Sequence, residues 1–454
     1  MIIIMNQSNP YLSIVIAVLS LFAFPVMGQS DQEPDANGLD GQKAEVFEKS
    51  EHVDELDQKI EVLAEEIENI KSGAELFPRV GKGVFGMAPA ASKVYGIEKG
   101  VSLGGYGEVL YENYGSQDQS SNPSGKIDQL DFLRNIIYVG YRFNEKFLFN
   151  SEIEFEHGST SSGVGSVSVE FAYIDYLHSD LLNIRAGMVL VPMGFVNELH
   201  EPIAYLSTER SRTESVIIPS TWRSNGFGLF GSGDKVDYRV FLIQSLNATA
   251  VGSSPASGFS SAGFRGGRQK GAKGAAQDFA IVGRLDYHAA KGLMFGGSFF
   301  AGQTAQDAKD ISGNQISGWT HILEAHAEYR LSGLELRALY AHSFLEDASS
   351  IASLVGSDVG SQMQGFYIEA GYDLFDTLDF SEKLILFSRL EKLNTQHKLA
   401  SNLTQDRSKN GSYLTLGLNF QPLDLIVVKG AYQFQKNKAD TGVNQWDISL
   451  GYVF

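Results

Sequence analysis

The chain has 454 residues, 43% of them apolar and 20% charged, with 48 Gly, 29 Phe, 19 Tyr and no Cys. Such a composition excludes a disordered protein, and the lack of Cys excludes disulfide scaffolds, thiolate metal sites and cysteine nucleophiles. Lys and Arg number 36 against 54 Asp and Glu, a formal net charge of −18 that argues against nucleic acid as a partner.

Tyr11 to Phe24 is an apolar run too short to span a bilayer comfortably, followed by Val26-Met27-Gly28, whose small residues suit a signal-peptidase site. Residues 1–28 read as a cleaved export signal, although the region before the run holds neither Lys nor Arg; a short membrane anchor is the alternative. A polar linker, 29–42, follows. Asp31 to Glu75 holds fifteen acids and four bases, which sets this region apart from the rest. Within it Val53, Leu56, Ile60, Leu63, Ile67 and Ile70 are spaced 3, 4, 3, 4, 3. An apolar residue every 3.5 positions keeps one seam against a partner helix. Residues 43–72 are therefore expected to form a periplasmic α-helical coiled coil that oligomerises the chain, the alternative being one amphipathic helix lying on the protein's own surface. A second linker, 73–100, leads on.

From Val101 onward the sequence falls into segments of about ten residues whose apolar and polar side chains alternate, the pattern of membrane-barrel strands. In the last one Trp446, Ile448, Leu450, Tyr452 and Phe454 share a face opposite Asp447, Ser449 and Gly451. The same contrast recurs at Tyr413 to Phe420 and at Leu334 to Phe344. Sixteen such segments can be counted, the first starting at Val101 and the last at Asn444. Short connections such as Asn144-Glu145-Lys146 and Ser332-Gly333 alternate with long polar ones such as Glu112 to Ile127 and Leu246 to Gln277. With no apolar run long enough for a membrane helix after the N-terminus, the expectation is an all-β, sixteen-stranded antiparallel transmembrane barrel over 101–454, lipid outside and water within. A propeller would repeat every 40 to 50 residues, and a soluble protein would not expose whole faces of Leu and Phe.

The inward phase of these segments carries Arg185, Arg239, Arg284, Arg337, Arg389 and Lys429, together with Glu152, Glu154, Glu156, Glu170, Asp237, Asp286, Glu324, Glu328, Glu335, Glu369 and Glu391. Cations in a row replace an anion's hydration, and acids oppose that unless they are paired. Asp237 with Arg239, Arg284 with Asp286, Glu335 with Arg337 and Arg389 with Glu391 are i, i+2 neighbours on one face. They either neutralise each other or form part of acidic and basic walls that set up a transverse field. The third long connection, Pro192 to Ser220, is the candidate constriction: it carries Arg210 and Arg212, with Arg223 just beyond, and is apolar for a solvated loop. It either folds into the barrel or stays outside against a neighbouring subunit. The nine cations are the candidate pore-lining and binding residues. The fourth long connection holds Arg265, Arg268, Lys270 and Lys273, which either attract anions or lipopolysaccharide phosphates or simply form a mobile basic loop.

Catalytic patterns are poor. Gly226 to Gly231 matches a dinucleotide fingerprint by letter, but strand lies on both sides of it and no helix follows for the pyrophosphate. His321 and His326 fall on opposite strand faces, whereas His326 and Glu328 share the inward one. No enzymatic activity, metal or cofactor is expected.

Gly104 to Glu108, Ser151 to His157 (SEIEFEH), Glu170 to Asp175 (EFAYID), Ala186 to Gly194 (AGMVLVPMG) and Asn197 to Pro202 (NELHEP) resemble the phosphate-selective porin O and P family of Gram-negative bacteria. That resemblance implies an outer-membrane homotrimer that admits small anions, in some members phosphate, through a lumen narrowed by an infolded third loop. It also implies contact with outer-membrane lipid and lipopolysaccharide, small anionic or polar solutes as cargo, and recognition of C-terminal Phe454 by the barrel-assembly machinery. The rival classes are a barrel enzyme and an envelope tether that uses the coiled coil.

Overall fold

The computed structural model describes residues 83–454 except 162, 253, 254 and 379. The expected signal, first linker and coiled coil lie outside the described residues, as do residues 73–82 of the second linker.

The sixteen strands are β1 (Gly100–Tyr114), β2 (Gln129–Arg142), β3 (Phe147–Glu156), β4 (Ser166–Leu177), β5 (Asn183–Leu190), β6 (Arg223–Ser232), β7 (Val236–Gln244) and β8 (Phe279–Ala290), then β9 (Leu293–Gly302), β10 (Thr320–Leu331), β11 (Leu334–Leu345), β12 (Gln362–Asp373), β13 (Lys383–Lys398), β14 (Asn410–Leu423), β15 (Ile426–Asn437) and β16 (Gln445–Val453). Each pairs antiparallel with its sequence neighbours, and β1 closes on β16 with Tyr106 opposite Val453 and Tyr114 opposite Gln445. Closure leaves no unpaired edge, the condition for a sheet in hydrocarbon. Tight turns gather at one rim. In the β10–β11 turn Ser332 and Gly333 take φ of 50° and 71°, the left-handed pair that matches the twist of a two-residue hairpin. Long loops gather at the other rim, so both ends of the barrel chain lie on the short-turn side.

Alternation along the strands follows the expected phase. In β16 the side chains of Gln445, Asp447 and Ser449 are buried inward, while Leu450 is exposed outward. Rings cluster near both rims of the outer face: Tyr141 with Phe143 and Phe147 with Tyr176 on the short-turn side, Tyr111 with Trp446 and Tyr432 with Phe434 on the long-loop side. An apolar band between two aromatic girdles is the surface a bilayer solvates.

The inner face departs from the expected watery hollow. Every strand has an inward side chain at 2% exposure or less, among them Tyr106, Phe171, Val282, Asn419 and Lys429. Apolar residues of β7 to β10, including Phe241, Val282, Phe300 and Ile322, pack on Met193, Phe195, Ile218 and Trp222 of the loop between β5 and β6. Those inward positions face folded chain and not water, so hydrophobic side chains are stable there.

Candidate functional site

The lumen is occupied from two directions. From the long-loop rim the connection between β5 and β6 folds inside; this rules out the reading in which it stays outside. Its prolines and the single turn of helix α1 (Arg212–Val216), capped by Ser211, give it a stiff irregular backbone. Irregular backbone in a closed space needs donors for its carbonyls, and the strands supply them. Arg284 Nη1 donates to Gly194 O, Arg337 Nη1 to Ala204 O at 2.9 Å, Asn419 Nδ2 to Leu206 O at 3.1 Å and Lys429 Nζ to Ser207 O at 2.9 Å. Both Arg389 Nη atoms donate to Glu209 O at 3.2 Å. In the opposite sense Glu391 accepts from the Arg212 and Thr213 N–H groups at 3.1 and 2.5 Å.

Four of the six inward cations therefore hold the loop in place. The other two are also engaged. Arg239 lies between Asp286 at 2.8 Å and the loop's Glu198 at 3.3 Å. Arg185 grips Asp175 at 2.9 and 3.0 Å with its guanidinium over the Tyr173 ring. Arg223 is paired to Glu170 at 2.5 Å. Among the nine candidates only Arg210 and Arg212 are neither exposed nor buried, and they mark the loop's solvent-touching side together with Glu209.

Two of the four i, i+2 pairs form: Arg284 with Asp286 at 2.8 Å and Arg337 with Glu335 at 3.3 Å. The other two do not, because cross-strand partners are better placed. Asp237 meets His288 at 2.7 Å, and Arg389 meets Glu369 at 3.5 Å while Glu391 turns to the loop backbone. His321 and His326 do lie on opposite faces, exposed and buried respectively. His326, however, bonds Glu324 at 2.7 Å and Asp286 at 2.9 Å, whereas Glu328 serves Arg337. The fourth long connection is tied down: Arg265 and Arg268 donate to Ser220 O at 2.6 and 2.9 Å. Burial first, then the Arg265 and Arg223 guanidiniums, push Arg268 down to about 9.

From the short-turn rim comes a second object that the sequence reading took for linker. Met87, Ala88, Ala90, Ala91 and Val94 are buried inside the barrel. The Ala90 and Ala91 N–H groups donate to Glu201 Oε1 of the inner loop at 2.9 and 3.3 Å. Asn150 Nδ2 donates to Ala91 O at 2.8 Å and Arg142 Nη1 to Tyr95 O at 3.0 Å. Tyr95 Oη accepts from Arg185 at 2.8 Å and donates to Asp175 at 2.7 Å. The signal that could have exposed this segment is its composition: Gly83 to Ser92 carries no charge, unlike a solvated linker. Glu201 gave no such signal, because its partners lie 110 positions upstream.

No family model matches the chain. The fold is that of a porin: OmpF of Salmonella typhi, solved with daunomycin, matches with a TM-score of 0.52 at 14% identity over 79% of this chain and 98% of that one. An anion-selective porin from Comamonas acidovorans matches with a TM-score of 0.49 at 13% identity over 79% and 100% of the two chains. In sequence, a protein of Aquifex aeolicus (strain VF5) described as uncharacterized is 33% identical over 382 residues, 81% of this chain and 84% of its own length. The chain belongs to the same family as that Aquifex aeolicus protein, and its barrel has the sixteen-strand porin fold.

Proposed function

We propose that the protein is an outer-membrane porin of a Gram-negative cell that passes small hydrophilic solutes by passive diffusion, anions in preference to cations. The observation that carries the reading is a closed sixteen-strand barrel with a lipid-suited outer band and an inner loop that narrows the lumen. Support for anions comes from the long-loop mouth. There burial first, and then neighbouring cations, lower the pKa of Arg265, Arg268 and Lys270; the second cause reflects cations gathered close together, a cluster that attracts a passing anion. Phosphate is one such anion, in keeping with the porin O and P resemblance. A homotrimer in outer-membrane lipid and lipopolysaccharide completes the reading, with assembly through Phe454, whose N–H and carbonyl pair with Gly105 at 2.9 and 3.0 Å.

Reversal potentials across a potassium chloride gradient in planar bilayers test it. Anion preference is expected, and replacing Arg210 and Arg212 together by Glu moves the potential towards cations. A cation-preferring wild type overturns the anion assignment. A barrel silent both with and without residues 83–97 overturns the channel itself.

A further inference from the structure

The inner loop narrows the lumen and the N-terminal segment enters what is left from the opposite rim; strand cations hold four carbonyls of the loop, and in the segment Tyr95 O. We propose that residues 83–97 form a removable plug, inserted from the short-turn rim, that closes the channel at rest and opens it by withdrawing towards that rim. The proposal rests on the channel reading above.

Three observations support it. First, both ends of the segment lie at the same rim. Gly83 lies beside Ser232, Gly233 and Asp234 of the β6–β7 turn, and Ile97 to Lys99 lie beside Asn144 to Phe147 of the β2–β3 turn. The segment therefore enters as a bend, and withdrawing it unthreads nothing. Second, its deepest part, Met87-Ala88-Pro89-Ala90-Ala91, carries no charge, so its withdrawal strips no ion of a partner. Third, its seat on the loop is incomplete. Glu201 Oε1 accepts both alanine N–H groups, whereas Oε2 is buried with no hydrogen-bond partner. A buried acceptor left unsatisfied weakens the closed state, and withdrawal of the plug admits water to both oxygens.

The cysteine-free chain allows an unambiguous test with the full-length protein in planar bilayers. Ala91→Cys and Asn150→Cys, introduced together where the Asn150 side-chain amide meets the Ala91 carbonyl at 2.8 Å, lock the plug when oxidised. The expected result is a loss of the large conductance level on oxidation, its return with dithiothreitol, and no such response in either single variant. A barrel with residues 84–96 replaced by a Gly-Ser chain of equal length should stay open, its mean conductance several-fold above wild type. Heat-modifiable migration on gels reports that each variant folds. Equal, non-zero conductance in the oxidised, reduced and replaced forms overturns the plug and leaves the channel standing. Silence of the folded, replaced barrel overturns the channel reading and the plug with it.

Discussion

The loop between β5 and β6 and the segment before β1 occupy one lumen, yet the wall holds them by different physics. Four strand cations and Asn419 point at loop carbonyls, and Glu391 receives two loop N–H groups. Hydrogen bonds to charged groups contribute about 1.5–3 kcal/mol each, so the loop is a fixed part of the barrel. The segment relies on small apolar side chains and on a shorter set of polar contacts: two N–H groups at Glu201, Ala91 O at Asn150, and Tyr95 at Arg142 and at the Arg185–Asp175 pair. Where a wall aims charge at backbone along a whole stretch it makes an irregular chain permanent; where it mostly offers shape, the chain can leave.

The sharpest way to break that contrast is Arg389→Met. The change leaves Glu369 without its cation and Glu209 O without two donors, and removing one partner of a buried pair costs about 3–5 kcal/mol. We expect a clear drop in the thermal midpoint of the folded barrel and trypsin cleavage after Arg210; an unchanged midpoint with a protected loop would refute the anchoring role. Lys429→Met should act in the same direction but less, about 1–3 kcal/mol, since it removes one donor from Ser207 O and one cation from the Tyr205 ring.

Acidity sharpens the comparison from the segment's side. Burial pushes the Glu201 carboxyl up to about 7, against the lowering influence of the Ala91 and Ala90 N–H groups and of His200. At His200 burial opposes the charged ring, but Glu152 outweighs it and the pKa is raised. The groups facing this pair are Lys93 of the segment, Tyr106 of β1, Tyr138 of β2, Glu152 of β3 and Arg210 of the loop. The raised Glu201 value means that the closed state binds a proton more tightly than the open one, in which water reaches the carboxyl, so closure is strongest in acid; His200 keeps Glu152 of β3 beside it in either state. Closure weakens as pH climbs from the ordinary carboxyl range to about 7. Open probability should rise about tenfold or more between pH 5 and pH 8, and Glu201→Gln should remove that rise. A flat profile in the wild type would remove Glu201 from the closure. The smallest effect is expected from Asn150→Ala, about 1 kcal/mol from one neutral hydrogen bond, read as a several-fold longer open time.

Much of this architecture was legible in the residues. The alternation of Leu414, Leu416 and Leu418 with Thr415, Gly417 and Asn419 places β14 and its lipid face without any coordinates, because a strand's period of two is local. The candidate cations were also legible as inward residues. Their role was not: Lys429 meets Ser207 across 222 positions and Arg389 meets Glu209 across 180, and neither distance leaves a trace in spacing. The segment at Gly83 to Ile97 was missed for the opposite reason, since its small residues read as linker when nothing shows what they touch.

By itself, then, the order of amino acids determined the strand count, the phase of each strand and the alternation of tight and extended connections, because pleat and turn chemistry act over a few residues. Only the tertiary structure decided what fills the hollow. Which carbonyl an arginine reaches, and whether an alanine stretch hangs in water or plugs a barrel, depends on contacts between elements far apart in the chain, brought together only when the sheet closes.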